Sequence, residues 1–402
     1  MNVVQKYGGT SLETIEKIQA VAKHIADNKK PGDGIVIVAS AMGKTTDQLI
    51  QLAKQISEDV PKRELDALLA TGEQQTVALL AIALQKLGID AVSMTGFQSG
   101  FVTTDFHTKA RIKEINTERV EQLIEEGKIP VVAGFQGMSE NGDITTLGRG
   151  GSDLTAVAIA AHLAWDCEIY TDVDSLHTTD PRVFPKAKQL HHITYEEMME
   201  MSSLGAGVLE TRSVELAKKY NVKLFLGRAL ENDKSKGTYI MSNNNLLVED
   251  MPITGISFQD DCTIFNIKGV KNDGKTVADL FNLLGKLNIN VDMISQQITG
   301  ENECSVSFSC TINQGNELSA AIQNNSVLNG LTIEKQDGLA MISLVGVGMA
   351  NHSGVASKVF TILATEQIPY YQITTSEISI SVTVDVEKKV KAVIALCEAF
   401  GL

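Results

Sequence analysis

The sequence predicts an α/β protein in which a largely parallel sheet, sandwiched by helices, is followed by two smaller ferredoxin-like βαββαβ units. Three observations carry this. Up to about residue 240, short and almost wholly apolar runs alternate with amphipathic stretches, the pattern of strands covered on both faces by helices. A polar stretch ending in proline, residues 242–252, then breaks the rhythm and reads as a linker. Beyond it, residues 276–294 and 355–373 align without gaps, with Phe281 on Phe360 and Gly269 on Gly348, so the tail is an internal repeat.

The elements follow in order. VVQKYGGTS reads as a strand running into a helix whose Leu12, Ile15, Ile18, Val21 and Ile25 recur at three and four, forming one apolar face. IVIVAS (35–40) is a buried strand, followed by Gly43 and a helix carrying Leu49, Leu52 and Ile56. A helix over 73–87 and the strands AVSM and IPVVAGF come next, and Asn141-Gly142 marks a hairpin tip. An Ala-rich helix, LTAVAIAAHLA, precedes the strands EIYTDVD and VKLFLG. Each repeat copy reads strand, turn, helix, strand, strand, helix. The first copy has a fourth strand, LTIEK (331–335), and the second has none, while ITGISF (253–258) stands alone before the first. A missing strand leaves a bare sheet edge. ITGISF is therefore assigned to the second unit, giving domains at 1–241, at 259–336, and at 253–258 with 337–402, the first repeat inserted in the second.

Bulk properties narrow the function. A net charge of −14 without any Lys/Arg-rich block argues against nucleic acid or an acidic membrane surface as partner. The five cysteines show no CxxC spacing and read as reduced. The N-terminus lacks the apolar core of a signal peptide, and no continuous apolar run reaches the roughly 20 residues that span a bilayer. These features point to a cytoplasmic protein.

Three polar clusters follow apolar strands, where ligands collect at the carboxyl ends of an open α/β sheet. Lys6-Tyr7-Gly8-Gly9-Thr10-Ser11 joins a strand-end lysine to two glycines and a helix start, suited to phosphate oxygens. Ser40 to Asp47 imitates a P-loop, but Val38 occupies the position of its first glycine; a loop for a small polar ligand remains. LGRGGSDLT (147–155) sets Arg149 among three glycines. It reads either as a turn with Ser152 or Asp153 as N-cap, or as an anion cradle at a helix start. Thr71-Gly72-Glu73 taken alone reads as a capping segment. His191-His192 has no further ligand at metal spacing, so no metal site is assigned.

Taken together and in this order, KYGGTS, VASAMGKTTDQL, ATGE, AGFQG, TLGRGGSD, YTDVDSLHTTDPR and the tandem tail resemble the aspartate kinases of the amino-acid-kinase family, over almost the whole chain. The resemblance implies an amino-acid-kinase fold followed by two ACT domains. It further implies transfer of the γ-phosphoryl of MgATP to the β-carboxylate of L-aspartate, the entry step to lysine, threonine and methionine. By it, Lys6 is the transition-state cation, Gly8 and Gly9 give backbone donors, and Asp153 orients Lys6. Arg149 grips the substrate α-carboxylate and Glu73 its α-ammonium, with Ser40, Thr46, Phe135 and Ser152 completing the pocket. Thr171, Asp172 and Arg182 fall where the family binds nucleotide. Lysine or threonine is the expected effector, near Asn272, Asp273, Gly274, Gln296 and Tyr370, with a homodimer or larger homo-oligomer formed through the ACT domains.

The chain departs from the family at Gly207, where a lysine is usual, in LGAGVLET (204–211). It departs again at Gly227-Arg228-Ala229, at Asn272 to Lys275 and at Pro369-Tyr370. Two other readings stay open on the residues: a kinase for glutamate or N-acetylglutamate, and a degenerate kinase that only senses amino acids.

Overall fold

The computed structural model describes residues 2–242, 252–322 and 330–402, which fall into two compact units. The interior of the linker read at 242–252 lies outside the described residues. The first unit reaches from the N-terminus to His177 and resumes over Gln189–Ser202 and from Gly207 to the linker. Thr178–Lys188 and Ser203–Ala206 cluster instead with the C-terminal residues as the second unit.

The first unit opens with β1 (Asn2–Tyr7), α1 (Ile15–Asn28), β2 (Gly34–Ala39), α2 (Thr45–Ile56), α3 (Lys62–Lys86) and β3 (Ala91–Met94). There follow β4 (Phe101–Thr103), β5 (Ile112–Ile115), α4 (Glu118–Glu125), β6 (Ile129–Ala133), β7 (Gln136–Ser139), β8 (Ile144–Thr146), α5 (Gly151–Leu163) and β9 (Asp166–Thr171). It closes with β10 (Leu176–His177), β11 (Gln189–Leu190), β12 (His192–Thr194), α6 (Tyr195–Met201), α7 (Thr211–Tyr220), β13 (Leu224–Arg228) and β14 (Thr238–Met241). Among the described residues eight strands form one sheet in the order β12-β14-β13-β9-β1-β2-β6-β3, parallel except where β13 meets β14. All of β2 and β6 is buried, as wholly apolar strands in a covered sheet must be. β1 pairs with β2 on one side and with β9, far along the chain, on the other. The chain's direction of winding therefore changes beside β1, and crevices form at such points. In a smaller sheet, β5-β4-β7-β8, the antiparallel pair β7–β8 is the hairpin expected around Asn141-Gly142, while β4 and β5 were not foreseen from the sequence.

Three helices differ from the sequence reading. Thr14 caps α1 by accepting from the Lys17 N–H, so the helix begins at Ile15. Leu12 is instead buried by a preceding 3₁₀ turn, and Ile15 turns outward. Ile18, Val21 and Ile25 do face the core, contributing roughly 1.5–3 kcal/mol each. In α2 the expected apolar stripe is largely outside: Leu52 and Ile56 are exposed, and Ala53 is the buried residue. The third difference bears on the site. α3 begins at Lys62, directly after Pro61, so Thr71-Gly72-Glu73 lies in mid-helix and caps nothing. Leu69 and Ala70 extend the buried face backward, and a Cβ at Gly72 would meet that of Ala41 at 3.0 Å. Glycine there costs about 1 kcal/mol of helix propensity, accepted because a loop packs on the helix. By length and composition α3 could cross a membrane, but half of its apolar window is buried within the fold.

The second unit contains β15 (Gly255–Lys271), α8 (Lys275–Lys286), β16 (Ile294–Ile298), β17 (Glu303–Cys310), α9 (Ile312–Ile322) and β18 (Thr332–Val345). α10 (Val355–Thr365), β19 (Tyr370–Thr375), β20 (Ser379–Asp385) and α11 (Lys389–Phe400) complete it. They make one sheet in the order β16-β17-β15-β18-β20-β19. β15 is continuous through the expected break between ITGISF and the first repeat. Its first half pairs with the end of β18 and its second half with the start, with register shifts between Gln259 and Ile264. Two separate cores lie under the helices: one around Phe265, Leu280, Leu284 and Phe308, the other around Leu344, Val359, Val382 and Leu396. Phe184, from Thr178–Lys188, is buried in the second of these.

Candidate active site

A pocket of about 250 Å³ opens at the carboxyl ends of β1, β2 and β6 and at the N-terminus of α5. Its walls include Lys6, Gly9, Ser40, Thr46, Glu73, Phe135, Arg149, Ser152 and Asp153. All six proposed amino-acid contacts and the proposed catalytic pair thus reach one cavity from five separate stretches of chain. Two further elements of the wall, Ala41 and Gly43, come from the loop that resembles a P-loop.

Local geometry explains the glycines. Gly150 sits at φ 67°, a left-handed conformation that side chains rarely adopt, and is the N-cap of α5. The cap expected at Ser152 or Asp153 is therefore displaced: both lie inside the first helical turn, where they project into the pocket. At Gly134 the constraint is space, since a Cβ would stand 2.7 Å from the Ser152 Oγ. Phe135 itself has φ 70°, an unfavourable state for an aromatic residue. Its N–H donates to the Thr155 Oγ1 at 3.1 Å, which helps hold that conformation.

The electrostatics are concentrated. The Lys6 Nζ stands 2.7 Å from the Asp153 Oδ1, with both side chains 10% exposed. The two groups form an ion pair, and Oδ1 has no hydrogen-bond donor besides this ammonium among the described residues. Glu73 is buried; its Oε1 accepts from the Ala41 N–H at 3.1 Å, and its Oε2 has no hydrogen-bond partner among the described residues. Burial pushes the Glu73 carboxyl up to about 7, partly offset by that backbone donor. An unpartnered buried carboxylate oxygen invites a cation. Among the described residues Arg149 forms no ion pair and is exposed, leaving its guanidinium open to an anionic group.

The expected nucleotide residues are less concentrated. Gly8 adjoins the pocket through the Lys6 Nζ, which a Cβ would approach to 3.5 Å. Thr171 ends β9 and Asp172 follows it, both outside the pocket lining, with Thr171 accepting from the Val173 N–H. Arg182 belongs to Thr178–Lys188 in the second unit, where it pairs with Asp180. Among the expected effector residues, Asn272 and Gln296 come within 3.4 Å of each other, and Asp273 accepts from the Thr276 N–H beside Gly274. Tyr370 lies on β19, at the opposite edge of the six-stranded sheet from Gln296 on β16. A single chain does not bring them together.

Sequence reasoning missed Asp66 and Arg212, which hold the loop before Arg149. Asp66 had a signal: it stands seven residues before Glu73, on the same helical side, among Leu65, Leu68 and Leu69. A carboxylate there is rarely buried without partners.

Comparison with known proteins settles the lineage. The amino acid kinase family model matches residues 1–227, and an ACT domain model matches residues 342–400. The chain is 46% identical to an aspartokinase of Bacillus sp. (strain MGA3), covering all of this chain and 97% of that one. The chain belongs to the aspartokinase family. Its fold matches E. coli aspartokinase III crystallised with aspartate and ADP, at a TM-score of 0.83, 23% identity and full coverage of both chains. The lysine- and aspartate-bound form of that aspartokinase matches at 0.75 and 23% identity, over 99% of each chain. In this chain the two segments that sequence reasoning weighted most, KYGGTS and TLGRGGSD, supply the Lys6–Asp153 ion pair that lines this pocket.

Proposed function

We propose that this chain transfers the γ-phosphoryl group of MgATP to the β-carboxylate of L-aspartate, giving 4-phospho-L-aspartate and ADP. One observation carries the reading: the buried Lys6–Asp153 pair and the unpartnered Glu73 Oε2 share one pocket with Arg149. A carboxylate oxygen of the acceptor attacks the γ-phosphorus as the bond to the β,γ-bridging oxygen breaks. With an ordinary pKa near ~4 the acceptor is already ionised, so no proton has to be removed. Catalysis then consists of positioning and charge neutralisation.

Lys6 stabilises the charge on the transferring phosphoryl oxygens, and Asp153 holds the ammonium in place. Arg149 receives the α-carboxylate through its planar fork. Glu73 receives the α-ammonium, and that cation draws its carboxyl back to the charged form. Gly9 and the N-terminus of α5 offer backbone donors and partial positive charge to phosphate, whereas the Gly8 N–H, expected as a donor, is taken up by the Tyr170 carbonyl at 3.0 Å. Thr171, Asp172 and Arg182 are assigned to the nucleotide. Magnesium would arrive with the nucleotide and would supply neutralisation of phosphate charge. Among the described residues no group of three or more His, Cys, Asp or Glu side chains is disposed to cage a metal.

The test is coupled ADP release with L-aspartate, glutamate and N-acetylglutamate at matched concentration. Preference for aspartate is expected, and preference for another acceptor overturns the assignment. Residues 259–336, and 253–258 with 337–402, are read as two ACT domains, which the strand order of the second unit supports. Lysine or threonine is assigned as effector at an interface between ACT units of two chains. The lysine bound to E. coli aspartokinase III favours the first. A thermal-shift panel, with light scattering for the dimer, checks this; no shift with either amino acid removes the effector assignment.

A further inference from the structure

We infer that Asp66 is a positioning residue for the acceptor. It fixes the arm that carries Arg149 relative to Glu73, and so sets the spacing at which an amino acid is gripped. The inference rests on the reading of Arg149 and Glu73 as the two grips.

Asp66 is fully buried on α3. Its Oδ1 accepts from the Thr146 hydroxyl at 2.6 Å, and its Oδ2 from the Thr146 N–H at 3.1 Å. The Thr108 N–H donates to both oxygens, at 3.1 and 2.9 Å, and the His107 Nδ1 lies 3.0 Å from Oδ2. Two chain segments distant in sequence are thereby tied to one carboxylate. Thr146 ends β8, three residues before Arg149. The next residue is held from the far side: the Arg212 Nη1 donates to the Leu147 carbonyl at 2.9 Å, while the Leu147 N–H donates to Phe135 at 2.8 Å.

Beyond Leu147 a turn closed by the Gly151 N–H on the Gly148 carbonyl at 3.0 Å carries Arg149 into α5. Gly148 and Gly150, at φ 84° and 67°, flank Arg149 on either side. That turn is held at its far end by α5 and at its near end by what fixes Thr146 and Leu147, so the near-end anchors help set the direction of the arginine. Glu73 lies on the same helix seven residues from Asp66, about two turns and roughly 10 Å along the axis. One rigid helix thus presents the carboxylate for the α-ammonium and anchors the guanidinium for the α-carboxylate. Displacement of a binding group by about 1 Å can cost up to about 100-fold in turnover of a bound substrate.

The experiment is steady-state kinetics on the full chain with L-aspartate and MgATP varied in turn. Asp66→Asn puts an amide donor where two backbone N–H groups need an acceptor. The KM for L-aspartate should rise about 10-fold or more, while the KM for MgATP stays within about twofold. Thr146→Val removes only the hydroxyl donor and should give a rise of about threefold with the fold kept; it carries the test if Asp66→Asn proves insoluble. In an Arg149→Ala background, Asp66→Asn should add less than about twofold, because the residue it acts through is gone. Equal rises in both KM values, an unchanged KM for aspartate in the folded variants, or effects that multiply with Arg149→Ala would each overturn the assignment. A wild-type chain inert toward L-aspartate would sink the functional reading instead, which the same assay distinguishes.

Discussion

Two ion pairs of almost the same length sit in opposite surroundings. Lys6–Asp153 measures 2.7 Å with both side chains 10% exposed, and Arg182–Asp180 measures 2.6 Å with the arginine 89% exposed. Distance alone would rank them equal. In water the exposed pair is screened and contributes little, whereas a buried charge that loses its partner is left desolvated and uncompensated. The buried pair is therefore committed to one geometry, and the exposed arginine is free to exchange its carboxylate for another anion. The Arg182 hydrogen bonds hold the Asp180 carboxyl below the usual range, against the smaller effect of burial. That is the ordinary behaviour of a surface pair.

The largest expected effect is at the buried pair. Lys6→Ala should lower kcat by about 100- to 1,000-fold or more, and Asp153→Ala by a comparable factor, since one removes the cation and the other its orientation. A residual rate within tenfold of wild type in both would erase the contrast. Next comes Arg149→Lys, which keeps the charge but loses the fork. The KM for L-aspartate should rise by about 10- to 30-fold with the KM for MgATP little changed. Equal changes in both would place Arg149 on the nucleotide.

Glu73 sharpens the comparison because it is buried without a cation. Its folded-state pKa of about 7 lies above the usual 4.5, so the folded chain holds this proton to higher pH than the unfolded chain. As pH rises from the unfolded pKa through the folded one, stability falls, and the full cost is present above pH 7. Glu73→Gln should therefore raise Tm by a few degrees near pH 8 and leave it unchanged near pH 4, while weakening aspartate binding. A lower Tm at the higher pH would show that the carboxylate is already compensated. In the wild type, aspartate affinity should weaken as pH drops below about 7. The smallest effect belongs to the exposed pair. Arg182→Ala should raise the KM for MgATP about threefold and leave Tm within about 1 °C. A loss as large as that of Lys6→Ala would mean that exposure is a poor guide here.

Much of the site was legible because its chemistry is local. A strand-end lysine before two glycines, and an arginine among glycines before Ser-Asp, each require backbone conformations or donors that few other residues supply. Their convergence was an inference from order along the chain; the eight-stranded sheet places β1 and α5 side by side. Thr71-Gly72-Glu73 taken alone reads as a cap because a glycine usually punctuates a helix, and only the resemblance placed Glu73 in the pocket. Only the packing of Ala41 on Gly72 shows why this one does not.

The sequence by itself determined the α/β alternation, the tandem repeat and the residue types of the pocket. These depend on periodicity and on backbone freedom, properties of neighbouring residues. Tertiary structure alone decided that Glu73 keeps one oxygen unpartnered, that Asp66 ties two distant segments, and that Ile15 and Leu52 face outward. Burial and partnership are set by what arrives from elsewhere in the chain, and a window of sequence holds no record of it.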